Sequence, residues 1–179
     1  MHEKKAQTRE RILAAASAAL LQRGPAEPSV GEVMGAVGLT VGGFYAHFES
    51  KDALMLEVFR QMLCQRRERV AQLAPALLAH ERRVRLAAFY LSRKHRDASE
   101  QGCPLPSSVG ELARMPDSFR AVLAEHIELM TAQLVGSPEE ADQALADIAL
   151  MVGGLALARA LGPGELSDRV LRAAKSAIV

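Results

Sequence analysis

Ser29-Val30-Gly31-Glu32-Val33-Met34-Gly35-Ala36-Val37-Gly38-Leu39-Thr40-Val41-Gly42-Gly43-Phe44-Tyr45-Ala46-His47-Phe48-Glu49-Ser50-Lys51-Asp52 reads as two short helices and the start of a third. Ser29 followed three residues later by Glu32 is a capping box, in which each side chain answers an unpaired N–H at a helix start. Val30, Val33, Met34 and Val37 follow at helical spacing, and Gly38 ends the helix where a left-handed residue is wanted. Thr40 is the next N-cap candidate. It opens a short helix over Val41 to Phe48, with Phe44 and Phe48 one turn apart on one side. Ser50 caps a long helix, with Asp52 facing the positive end of its dipole.

Upstream, Ile12, Ala16, Ala19 and Leu20 form the stripe of a helix over Gln7 to Arg23, stopped by Gly24-Pro25. Downstream, the long helix carries Leu54, Met55, Val58, Phe59, Met62 and Leu63 and runs towards Ala74. Another helix is expected over Glu81 to Arg96. The loop Gln101 to Pro106 follows, because two prolines oppose helix there. Helices are then expected near Ser108 to Arg114, from Pro116-Asp117 to Val135, from a second capping box at Ser137-Pro138-Glu139-Glu140 to Gly162, and from Leu166 to Ile178. The expectation is an all-α chain of nine helices. Residues 1–49 would form an N-terminal three-helix unit, and residues 50–179 a helical ligand-binding and dimerisation core.

Composition agrees. The chain has 179 residues, 49% of them apolar and 24% charged, with two cysteines. That supports a packed domain and excludes wholesale disorder and a disulfide-built scaffold. The longest uncharged apolar stretch, Ile148 to Ala158, falls well short of the about 20 residues of a membrane span. With no secretory hydrophobic region after Met1, the expected location is the cytoplasm, without membrane association. The net charge of +1 hides an asymmetry. Residues 60–96 carry ten Lys/Arg against two acids, and residues 97–179 carry six against twelve. A basic half beside an acidic half is compatible with one end meeting a polyanion, or simply with solvated helix faces.

Two short helices joined by a tight glycine turn and propped on a longer helix describe a helix-turn-helix. The second helix must be anchored by large apolar groups yet stay slim outside, to fit a major groove about 12 Å wide. Phe44 and Phe48 can anchor it, while Thr40, Val41, Gly42, Gly43, Ala46 and His47 are small or polar. The stretch from Ser29 to Leu54, with Thr8 to Ala16 before it, resembles the DNA-binding domain of the TetR family of bacterial one-component regulators. Gly38, Leu39, Thr40, Phe44, Tyr45, His47, Phe48, Ser50 and Lys51 fall on the family pattern. The resemblance implies that Tyr45, His47 and Lys51 contact phosphates and that Thr40 sits at the mouth of the groove, with Val41, Gly42 and Gly43 on the DNA face. Where many members carry Lys, this chain has Val41, and Gly43 stands in place of a polar residue. Recognition would then lean on thymine methyls, backbone and DNA shape.

The resemblance further implies a ligand-responsive homodimer, most simply a repressor. It would be released by a small-molecule effector from a pseudo-palindromic operator in double-stranded DNA. The effector-binding core would lie between about residues 51 and 135, with Phe59, Met62, Phe89, Cys103, Phe119 and Ile127 as candidate lining residues. Simple core packing is the alternative for most of them. Cys103, in the loop Gly102-Cys103-Pro104-Leu105, reads either as a sensing thiol or as a small buried hydrophobe. The cluster Arg82-Arg83-Arg85 reads either as an anion contact or as a solvated face. Residues 137–178, apolar on nearly all sides of their first helix, are the dimer candidate. No nucleophile elbow, phosphate loop or zinc motif occurs, so neither an enzyme nor a cofactor or metal is expected. The rival readings are a helical interaction protein whose helix-turn-helix no longer binds DNA, and a helical ligand carrier.

Overall fold

The computed structural model describes residues 2–72, 77–98 and 102–179, and in them every regular element is a helix. The order is α1 (His2–Arg23), α2 (Val30–Ala36), a 3-10 helix η1 (Val41–Ala46) and α3 (Lys51–Gln72). Then come α4 (Ala79–Tyr90), α5 (Arg93–Asp97), α6 (Leu105–Leu112) and α7 (Asp117–Leu134). A 3-10 turn η2 (Pro138–Glu140) leads into α8 (Ala141–Leu161), and α9 (Glu165–Ser176) follows. The expected end of the long helix near Ala74 and the start of the loop at Gln101 lie outside the described residues.

Three expectations need correction. The helix expected over Glu81 to Arg96 is two helices, broken at Leu91-Ser92. Ser92 accepts from the His95 N–H at 3.1 Å, so a new N-cap competes with continuation. The prolines of the 101–106 loop do not keep helix out of it. α6 begins at Leu105 with Pro106 in its first turn, where a missing N–H costs nothing. The capping box expected at Ser137 does not form: that side chain makes no cap bond, and Glu140 turns to Arg83 instead. The cluster Arg82-Arg83-Arg85 is accordingly neither an open anion contact nor wholly a solvated face. Arg83 is buried, with Nη1 2.5 Å from Glu140 and Nε 3.3 Å from the buried Asp147.

One buried apolar cluster runs through the molecule, from Ile12, Ala16 and Leu20 of α1 through Leu54, Val58, Phe59 and Leu63 of α3 to Leu155, Leu171 and Ile178. α3 is its spine. It packs on α1 and on α7. Pro138–Leu161 is long and apolar enough to cross a membrane by length and composition alone. Here it is a core helix: Ala144, Ile148, Met151, Leu155 and Ala158 are buried, and its Asp147 answers Arg83.

Candidate nucleic-acid interface and the core behind it

Local chemistry sets the turn between α2 and η1. The Leu39 N–H donates to Met34 O at 2.9 Å and the Gly38 N–H to Gly35 O at 3.0 Å, while Gly38 takes φ +71°. This is a Schellman closure, which needs a left-handed residue and finds glycine there. The Ser29–Glu32 box at the other end of α2 is complete, with bonds of 3.2 and 2.8 Å. Bonds to the Ser29 backbone and to Arg23 hold the Glu32 carboxyl at about 2, well below the usual range.

The second helix of the motif is shorter and tighter than expected. It is 3-10 over Val41–Ala46, and Thr40 at its N-cap makes no side-chain cap bond. Paired glycines at 42 and 43 weaken the α-helical option, and anchoring by Phe44 draws the turn inward. Phe44 and Phe48 are buried with ring centroids 5.7 Å apart. The Arg9 guanidinium caps Phe48 at 4.8 Å and pairs with Glu57 of α3 at 2.5 Å. Arg11 holds the end of α2 by donating to Val37 O at 2.6 Å.

Outside this anchor lie Thr40, Val41, Gly42, Gly43 and Tyr45, all exposed, with His47 and Lys51 half-buried beside them. Tyr45 is 67% exposed although its ring stands edge-on to Phe44, so its hydroxyl end is free to solvent. A Cβ at Gly42 or Gly43 would meet nothing closer than 3.7 Å, so packing does not demand glycine at either position. His47 Nδ1 is buried without a partner. Lys51 Nζ donates to Ala26 O. The N–H of the same Ala26 donates to Glu111 Oε2 of α6 at 3.0 Å. The turn between α1 and α2 is thus held on one side by the first residue of α3 and on the other by α6. Gly24 is needed at that contact: a Cβ there would stand 2.6 Å from Ser107 O, and its φ is +82°.

The candidate ligand residues do not share one cavity. Phe59 and Phe119 are fully buried against each other, with centroids 6.1 Å apart, and fill the α3–α7 core. Ile127 is half-buried against that core. Phe89 is exposed, with Arg66 over its ring at 5.5 Å and His95 stacked on it at 5.4 Å. Cys103 is buried, with its N–H pointing at His95 Nε2 at 3.4 Å. Cys64 and Cys103 are both free thiols. Of the six, Met62 faces a cavity of about 340 Å³ between α1 and α3, which Leu21, Arg66, Arg69 and Gly102 also line.

Two buried histidines are neutral, for visible reasons. The His95 ring donates Nδ1–H to Tyr90 O at 2.9 Å and accepts the Cys103 N–H at Nε2, which fixes its tautomer. Burial, with Arg66 and Arg159 nearby, pushes it down to about 4. His126 accepts from Arg67 at Nδ1 over 3.0 Å, because a guanidinium has only donors; burial and that same Arg67 push it down to about 4. The sequence reading missed Arg66 and Arg159. The signal for Arg66 was present: it follows Phe59, Leu63 and precedes Val70 on the apolar side of its helix. Among the described residues no cluster of three or more His, Cys, Asp or Glu is placed to hold a metal ion.

Residues 12–58 match the model of the family described as bacterial regulatory proteins, tetR family. No curated protein matches the chain. Among solved structures, it is similar to the reduced form of NemR from E. coli, at 20% identity and TM-score 0.80, over 96% of this chain and 95% of that one. It is also similar to a TetR transcriptional regulator from Chloroflexus aurantiacus J-10-FL, at 26% identity and TM-score 0.75, over 98% and 94%. A TetR-family transcriptional regulator from Agrobacterium tumefaciens superposes at 18% identity and TM-score 0.80, over 98% and 99%. The chain therefore carries a TetR-family helix-turn-helix DNA-binding domain on the fold of TetR-family transcriptional regulators.

Proposed function

We propose that this protein is a cytoplasmic homodimeric repressor that leaves a pseudo-palindromic operator when a small molecule binds its helical core. Residues 1–49 would be the DNA-binding unit and 50–179 the effector and dimer unit. The observation that carries the DNA reading is the outer face of η1: slim at Val41, Gly42 and Gly43, flanked by the exposed Tyr45 and by Lys51, with no packing reason for its slimness. A slim face enters a major groove, and the flanking hydroxyl and ammonium reach phosphates.

Support for a dimer comes from α8. Leu145, Leu150, Gly153, Leu157 and Leu161 are exposed at spacings of three to five residues, with Leu157 at 59%. A monomer seldom leaves such a stripe in water. Gly154 is not part of it, since a Cβ there would meet Ala174 and Leu91 of the same chain at 2.9 and 3.0 Å. Release would run through the Glu111–Ala26–Lys51 link, which ties α6 and α3 to the helix-turn-helix. A ligand shifts this equilibrium only by its differential affinity for the two states. For Cys103, burial supports packing over sensing as it stands, and a sensing role would require opening of the 102–105 turn.

The test uses DNA flanking the gene. Tyr45→Phe and Lys51→Ala should each weaken binding to specific and non-specific DNA by similar factors. Lys51→Ala should also flatten the salt dependence by about one unit of slope. Leu157→Asp should give monomer in sedimentation and weaker operator binding. Unchanged affinity in both DNA-face variants would remove them from the interface.

A further inference from the structure

Residues 2–11 lie ahead of the stretch that matches the family, which begins at Ile12. They are nonetheless helix, since α1 runs unbroken from His2 to Arg23. Among the described side chains of α1, Ile12 is the first to be fully buried, and Glu3 to Gln7 are all exposed. Core packing therefore does not account for the turns before Thr8. What those turns carry is charge, sorted by face. Lys4 and Arg11, seven apart, share one flank of the helix, and Lys5 lies one turn before Arg9 on another. Glu3 and Glu10, also seven apart, share a separate flank. Neither lysine has an acid three or four residues away, and neither forms an ion pair among the described residues.

The direction of α1 is fixed by its contacts. Its C-terminal end sits on the helical body, where Ser107 of α6 donates to Leu20 O at 3.1 Å. Nearer the N-terminus it spans the helix-turn-helix. Arg11 donates to Val37 O at 2.6 Å, just before the glycine turn, and the Arg9 guanidinium stands 4.8 Å from the Phe48 ring, just after η1. The turns carrying Lys4 and Lys5 therefore run on past the helix-turn-helix, on the side away from α6. At 1.5 Å per residue, Lys4 stands about 10 Å along the axis from Arg11, and Lys5 about 6 Å from Arg9. The first continues the flank beside the turn that leads into η1, and the second continues the face beside Phe48. A duplex seated on the outer face of η1 has to lie clear of the helical body, which is the side these turns project to.

We propose that the first two turns of α1 are a second DNA contact, in which the Lys4 and Lys5 ammonium groups bind phosphates of the duplex backbone beside the groove that η1 enters. Ammonium groups without a partner of their own displace the counterions condensed on DNA, and such a contact carries position and affinity rather than base sequence. Sorting Glu3 and Glu10 onto a separate flank keeps like charge off that backbone. The surface is continuous with the helix-turn-helix through Arg11 and Val37, and its charge complements a polyanion. The inference rests on the DNA-binding reading above and extends it to residues ahead of the family match.

The experiment measures binding of the full chain to DNA flanking the gene and to a random-sequence duplex across a salt series, with hydroxyl-radical footprints on the first. The double variant Lys4→Gln, Lys5→Gln should bind both DNAs ~10-fold more weakly and flatten the salt dependence by about one unit of slope for each lysine lost. Backbone protection at the edges of the footprint should disappear while protection at its centre remains. The urea midpoint should not move, because both side chains are exposed. Lys94→Gln, an equal charge change at an exposed residue of α5, should alter affinity less than ~2-fold. With the wild type binding, unchanged affinity and slope in the double variant overturns the proposal and leaves Tyr45 and Lys51 standing. So does an equal loss in Lys94→Gln, which would make the effect one of net charge, or a loss that leaves the edge protection intact. A wild type that binds neither DNA overturns the DNA-binding reading itself, and this contact with it.

Discussion

The two ends of this molecule answer to different kinds of rule. At its N-terminal end, the structure follows local signals written in consecutive residues: Ser29 with Glu32 starts a helix, Gly38 closes it, and Phe44 and Phe48 seat the next one. Further along, around α4, α5 and α8, local signals are overruled by charges brought together from far apart in sequence. Arg83 meets Asp147 across 64 positions, and Arg96 meets Asp168 across 72. The DNA end therefore places its working groups outside on an apolar seat, whereas the core places polar groups inside and answers Arg83 and Arg96 with carboxylates from distant elements.

The largest effects should come from the seat. Phe44→Ala removes a fully buried ring that stacks on Phe48, and should cost about 4 kcal/mol in denaturant unfolding. Operator binding should fall with it. Phe89→Ala, at a half-exposed ring, should cost about 1 kcal/mol or less, so similar losses at both rings would erase the distinction.

In the core, Asp147→Ala leaves Arg83 buried with Glu140 and Leu134 O as its remaining partners. Removing one side of a buried ion pair should cost about 3 kcal/mol, and the loss should couple to that of Arg83→Met in a double-mutant cycle. Additive losses would mean the pair contributes no more than packing.

Acid should also separate the two ends. His95 and His126 are held near 4, below the ordinary histidine value of about 6.5, so the unfolded chain takes up protons first as pH falls. Their contribution to stability is present above about pH 6.5 and is lost progressively down to about pH 4. His126→Gln, which keeps an acceptor for Arg67, should flatten that limb of the stability curve measured by urea unfolding. An unchanged slope would show that His126 is protonated in the fold.

How far the sequence was legible follows the same division. The helix-turn-helix, its anchors and its exposed face could be read because each depends on residues within one or two turns of one another. The shortening of the second helix to a 3-10 turn could not, since it reflects Phe44 and Phe48 being drawn together into the buried core cluster. The break at Leu91-Ser92 was hidden because Ser92 competes as an N-cap only once His95 turns inward to Tyr90 O. Apolarity in the sequence marks core as readily as cavity. Phe59 and Phe119 are core, and the open polar donors belong to Arg66 and Arg159.

The smallest effect is also the cleanest contrast, because the chain contains the same signal twice. Ser29-Val30-Gly31-Glu32 and Ser137-Pro138-Glu139-Glu140 both place Glu three residues after Ser before an apolar run. The first is satisfied within its own turn: Ser29 Oγ accepts the Glu32 N–H, Glu32 accepts the Ser29 N–H, and Arg23 reinforces the carboxylate. The second is pulled apart. Arg83, buried beneath it, takes Glu140, which also accepts the Gly136 N–H, while a hydrogen bond from Ser137 holds the Glu139 carboxyl below its usual range. An exposed pair in which each side answers the other cannot compete with a buried guanidinium that has few acceptors within reach. Ser29→Ala should therefore cost about 1 kcal/mol, the ordinary value of an N-cap, and lower operator affinity with it. Ser137→Ala should cost less than about 0.5 kcal/mol. Glu140→Gln should cost more than Ser137→Ala, the reverse of what an intact box would give, because it takes a charge from Arg83. Equal losses at Ser29 and Ser137 would mean that the second box closes in solution, with Arg83 then left to Asp147.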